Sequence, residues 1–105
     1  MIRVRYNIRR LSLRITGHAG AMTNEEGHDL VCCAASTLAQ AYVYAARRSG
    51  YDVLMRRSKG RLTAVTEEHH QADGALRAIY DAYLMGLRML AEEYPAHICL
   101  VEEPP

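Results

Sequence analysis

A chain of 105 residues, half of them hydrophobic and with no long polar or Pro-rich tract, has the usual size of one compact domain, so a single domain over residues 1–105 is expected. Thirteen Lys and Arg against twelve Asp and Glu leave a formal net charge of +1, which excludes attraction to nucleic acid driven by overall charge. Arginines interrupt every apolar run of the opening MIRVRYNIRRL, which excludes a signal peptide or membrane span there; Cys32, Cys33 and Cys99, an odd set with one adjacent pair, fit a reducing compartment, and the cytoplasm is the expected location.

Ile2, Val4 and Tyr6 alternate with Arg3 and Arg5, and Leu11, Leu13 and Ile15 alternate with Ser12, Arg14 and Thr16. Period two on both sides of Asn7 to Arg10 predicts a hairpin. From Asp29 to Arg48 the chain is rich in Ala, has no Gly or Pro, and stops at Ser49-Gly50, where a glycine cap ends a helix. Tyr51, Val53 and Met55 resume the alternation, Ser58-Lys59-Gly60 turns, and Leu62, Ala64 and Thr66 continue it as a second hairpin. Between about Gln71 and Glu93 apolar residues recur at three- and four-residue steps, with Pro95 just past the end, as in a second helix. Gly86 inside it either marks close packing or carries no meaning. His97 to Val101 forms a last strand, and the closing Glu-Glu-Pro-Pro is expected to fray. The order ββαββαβ predicts an α+β fold, a mixed, largely antiparallel sheet packed with two long helices.

The chemistry concentrates between residues 17 and 36. A loop containing Gly17, Gly20 and Gly27 leads to Asp29, whose carboxylate can cap the helix by accepting from the N–H of Val31 or Cys32. Cys32 then falls in the first turn, where the positive helix end and unpaired backbone donors favour thiolate over thiol. With Val31, Ala34, Ala35, Leu38, Ala41, Tyr42 and Ala45 as the buried side, Cys32, Ser36 and Ala39 follow its edge, while Cys33, Thr37, Gln40 and Tyr44 point away. Cys32 is therefore the better nucleophile of the two, although both also read as small helix residues. His18 closes the second strand and can serve as the general base, with His28 as its competitor. Asp29 either orients the histidine or only caps the helix, and Ser36 either bonds into the site or bonds back to its own helix. His69, His70, His97 and Cys99 lack the spacing of a metal centre, and none is expected. Arg3, Arg5, Arg9, Arg10 and Arg14 read first as the solvent side of the hairpin and second as a site for RNA phosphate.

Gly17-His18-Ala19-Gly20, followed after a Gly-containing loop by Asp29, Val31, Cys32, Ala34 and Ser36, resembles the ribosomal-processing cysteine protease (Prp) family of bacteria. The resemblance covers essentially the whole chain. It implies Cys32 as nucleophile, His18 as base, Gly17, Asp29 and Ser36 as support, and a substrate-closing loop that includes Gly20 and Gly27. It further implies cleavage of the N-terminal extension of a large-subunit ribosomal protein, the one numbered twenty-seven, by a homodimer that needs no cofactor, membrane or direct nucleic-acid contact. This chain departs from the family pattern in a slightly longer loop, in Ala21, Met22, Thr23 and Asn24 where aromatic or polar residues are usual, and in Cys33 where alanine is usual. The competing reading is a non-catalytic ribosome-associated or RNA-binding module that uses the arginine hairpin; a third is a degenerate family member that binds the peptide without cutting it.

Overall fold

The computed structural model describes residues 1–18 and 29–104. Its elements run β1 (Ile2–Asn7), β2 (Ser12–Thr16), α1 (Leu30–Arg48), β3 (Val53–Ser58), β4 (Arg61–Thr66), α2 (Gly74–Glu93) and β5 (Ile98–Glu102), the predicted order. The five strands form one sheet in the order β3-β4-β2-β1-β5, antiparallel except where β5 runs parallel to β1. A parallel neighbour needs a crossover, and α2 supplies it.

Alternation fixes which face is covered. Val4, Ile15 and Leu62 stand in register across β1, β2 and β4, as do Tyr6, Leu13 and Ala64, and all six are buried. Both helices pack on this face, α1 over β2, β3 and β4 and α2 over β5, and against each other. The opposite face stays open, the arrangement common for a largely antiparallel sheet. Two tyrosines fill the space beneath the first hairpin: the rings of Tyr42 and Tyr80 meet edge to face at 5.3 Å. Tyr80 donates to the Ser12 carbonyl at 2.7 Å, and Tyr42 shares a 2.8 Å hydrogen bond with Thr66, whose hydroxyl donates to the Leu11 carbonyl at 2.7 Å. Burial raises the pKa of both tyrosines above the ordinary value.

The buried stripe of α1 is Val31, Ala35, Ala39, Tyr42, Val43 and Ala46, rotated from the predicted one. Ala39 is buried rather than at the edge, whereas Ala34, Leu38, Ala41 and Ala45 are half-buried. The helix serves two neighbours, and Leu38 belongs to the seam with α2. A Cβ on Gly86 would lie 2.9 Å from Leu38 Cδ2, so Gly86 does mark close packing. Helix α2 starts three residues later than predicted, because Glu68–His70 form a separate 3-10 turn and Asp73 is the cap. Its carboxylate accepts from Ala75 and Leu76 N–H and from the Tyr51 hydroxyl, and these bonds, the one from Leu76 first, lower its pKa. The tail is also anchored further than predicted: Glu103 N–H donates to the Tyr6 carbonyl at 2.7 Å and the Asn7 amide to the Pro104 carbonyl.

Candidate active site

The start of β1, the end of β2, the β3–β4 turn and the first turns of α1 meet at one end of the sheet. They enclose a cleft of about 300 Å³ with Ile2, Ile15 and Leu62 as apolar lining and His18, Cys32, Ser36, Arg57, Ser58 and Arg61 as polar lining. His18 and Cys32 thus share one cavity, although thirteen residues separate them in sequence.

Gly17 directs the histidine there. Its φ of +94° lies in the left-handed region, a Cβ would run into the Met1 carbonyl, and its N–H donates to the Gly60 carbonyl at 3.0 Å. Position 17 therefore requires glycine for backbone and space alike. The His18 carbonyl accepts from the Met1 nitrogen at 2.7 Å, and a Cβ at residue 60 would stand 3.1 Å from His18 Nε2. The imidazole rests beside the bare backbone of Gly60, which itself has φ +72°.

The cysteine is positioned from the helix start. Asp29 is the N-cap, and its carboxylate accepts from Cys32 N–H at 3.0 Å, one of the two donors expected from sequence. The Asp29 carbonyl accepts from Cys33 N–H at 3.0 Å. Cys32 is half-buried and lines the cleft, whereas Cys33 is exposed and outside it.

Among the described residues Ser36, one turn on, makes no hydrogen bond to the backbone of its helix; its partner is a side chain of the same helix. The Gln40 amide donates to its Oγ at 2.8 Å, and the Arg57 guanidinium donates to the Gln40 carbonyl oxygen. Arginine carries only donors, so it fixes the orientation of the Gln40 amide and leaves Ser36 as the acceptor in that bond, with no acceptor for its own proton among the described residues. Arg57 and Arg61 make the mouth positive, and no Asp or Glu is among the described lining residues. Sequence reading missed Gly60, Gln40, Arg57 and Arg61. The Ser58-Lys59-Gly60 turn was visible, but nothing local to it says that it faces His18.

Gly20, Gly27 and His28 lie outside the described residues. Of the weaker candidates, His69 and His70 approach Asp52, with one ligand atom from each within 4.8 Å of the others, rather than His97 or Cys99. His70 Nε2 is 3.6 Å from the Asp52 carboxylate, and its ring meets Tyr51 edge to face. This group sits at the far end of β3 from the cleft.

Among solved structures, an essential ribosomal processing protease Prp from S. aureus in complex with a covalently linked product peptide superposes with a TM-score of 0.83 at 23% identity, covering 98% of this chain and 100% of that one. A structure of such a Prp with a substrate peptide gives 0.80 at 22%, with the same coverage. SMU.848 from Streptococcus mutans gives 0.75 at 28%, covering 97% and 93%. No curated protein matches the chain. The family model described as cysteine protease Prp matches residues 1–99, and the chain belongs to that family.

Proposed function

We propose that this protein is a cysteine endopeptidase that removes the N-terminal extension of the large-subunit ribosomal protein numbered twenty-seven during ribosome biogenesis, with Cys32 as nucleophile and His18 as general base. The observation that carries the reading is the shared cleft: a cysteine in the first turn of α1 and a histidine just after β2 line one cavity.

Cys32 gives its proton to His18, and the thiolate, favoured by the helix N-terminus, attacks the scissile carbonyl carbon. The imidazolium then protonates the leaving amine, which departs and leaves a thioester. His18 next takes a proton from water, hydroxide adds to the thioester carbonyl, and the thiolate leaves with release of the carboxylate. The oxyanion of both tetrahedral intermediates needs donors. Cys32 N–H is held by the Asp29 carboxylate, which narrows the part that helix-start amides can play. The Ser36 hydroxyl, held from behind by Gln40 and Arg57, is the side-chain donor suited to that place. The family resemblance gives Gly20 and Gly27 a part in holding the substrate. No step calls for a cofactor.

The protein acts in the cytoplasm as a homodimer, one domain per chain. No helix among the described residues is long and apolar enough to cross a membrane. The test is mass spectrometry of the extended ribosomal protein after incubation with this protein. Cleavage by the parent and Cys33→Ala, with loss in Cys32→Ala and His18→Ala, is expected; no cleavage, or cleavage that survives Cys32→Ala, overturns the assignment. Sedimentation of the purified protein decides between dimer and monomer.

A further inference from the structure

The open face of the sheet carries a second feature, set by register alone. Arg56, Thr63, Arg14 and Arg5 form one row across β3, β4, β2 and β1, and Arg61, Thr16 and Arg3 form the next across β4, β2 and β1. All five arginines are exposed. Strands lie about 4.8 Å apart and same-face residues along a strand about 6.7 Å apart, so the five stems rise from a patch of roughly 15 by 7 Å.

The patch is costly to the fold and is not imposed by composition. Arg5 stands directly opposite Arg14, a cross-strand pairing of like charges that destabilises a sheet. The chain as a whole has a net charge of only +1, so its carboxylates have been kept elsewhere. Glu102, the one acidic residue within a described strand, pairs in register with buried Tyr6, on the helix side. Glu103 reaches one corner of the face, near Arg10, Ser12 and Arg14. Among the described residues none of the five arginines makes an ion pair.

We infer that this face is a docking surface for the phosphate backbone of RNA. Five arginines and no lysine present planar forks matched to phosphate oxygens, with the hydroxyls of Thr16 and Thr63 between them as further donors. A second copy of this chain does not fit the same face, because it would bring ten arginines together. A lipid surface asks for large apolar anchors beside the charges, and here Leu54 and Val65 at one corner and Val101 beside Arg5 are aliphatic side chains, in a chain without Trp or Phe. Arg61 belongs both to this face and to the cleft lining, so a bound strand passes beside the mouth of the active site. The face binds its strand whichever peptide the cleft cuts.

The test is fluorescence anisotropy of a labelled single-stranded RNA oligonucleotide over a salt series, with the full chain. Each arginine–phosphate pairing removed lowers the steepness of log affinity against log salt by about 0.7, so Arg5→Gln/Arg14→Gln is expected to lower it by about 1.4. Arg3→Gln/Arg56→Gln, elsewhere on the same face, is expected to do the same. Arg47→Gln/Arg48→Gln removes equal charge from the end of α1 and is expected to leave the slope unchanged. Cys32→Ala is expected to bind RNA as the parent does, which separates this surface from the peptidase. The first pair should also melt no lower than the parent, since it removes a repulsive pair. Absence of RNA binding at low salt, an equal loss from the α1 pair, an effect confined to one of the two face pairs, or tighter binding to phosphatidylserine vesicles than to RNA overturns the inference.

Discussion

Gly60→Ala asks whether the β3–β4 turn positions the histidine of the cleft. The added Cβ meets His18 Nε2 at 3.1 Å, Cε1 at 3.6 Å and Cδ2 at 3.9 Å, and ordinary van der Waals contact begins near 3.4 Å. The exposed imidazole can yield by a few tenths of an ångström, so the steric cost is small and the displacement is the effect. The backbone adds strain, because φ +72° costs a residue with a side chain about 1–2 kcal/mol. Set against a stability of about 5–15 kcal/mol, that loss leaves roughly 99% of the molecules folded and cannot by itself lower activity. Misplacing a reacting group by about 1 Å costs on the order of 100-fold, so a few tenths should cost about tenfold in kcat/KM. Gly50→Ala is the matched control: φ is +91° and nothing lies within 4 Å of the added Cβ, so it carries the strain without the contact. Urea melts measure the stability loss. Peptide hydrolysis, and alkylation of Cys32 against pH in a Cys33→Ala background, measure the site. The two glycine variants should lose comparable stability, and only Gly60→Ala should lose rate. Equal rates in the two refute the contact with His18.

Three further outcomes concern the core. Thr66→Val keeps the shape but takes a donor from the Leu11 carbonyl and a partner from the Tyr42 hydroxyl, and should cost about 2–3 kcal/mol in a urea melt. Gly86→Ala gains about 1 kcal/mol of helix propensity and loses about 2 kcal/mol by overpacking against Leu38, a net loss of about 1 kcal/mol on the same assay. Burial holds the Tyr42 and Tyr80 hydroxyls protonated in the folded state, with pKa values above the ordinary 10.0. Their contribution is therefore complete below pH 10.0 and is lost as pH rises through the raised folded values. The urea midpoint should fall above that pH, and Tyr80→Phe should flatten the decline; an equal slope in the variant refutes the account.

The order of elements, the two hairpins and the capping carboxylate at Asp29 were legible in the sequence because each rests on near neighbours: alternation with period two, a run without Gly or Pro, and a side chain reaching three residues ahead. That Cys32 turns inward and Cys33 outward also needed only the angle between adjacent helix residues. The rest depended on packing. Helix α1 meets a sheet and a second helix, so its buried stripe turned and took in Ala39, which no single-face reading of the helix could anticipate. The 3-10 turn before α2 and the anchored tail likewise arose from partners far along the chain, Tyr51 for the Asp73 cap and Tyr6 and Asn7 for the last residues. Gly60 and Arg57 came to the cleft because β3 and β4 return to the end of the sheet where β2 stops. Strand register likewise gathered arginines from both hairpins onto one face. Local periodicity determines which way a side chain points from its own strand or helix; which distant side chain it meets is decided only when the strands choose their neighbours.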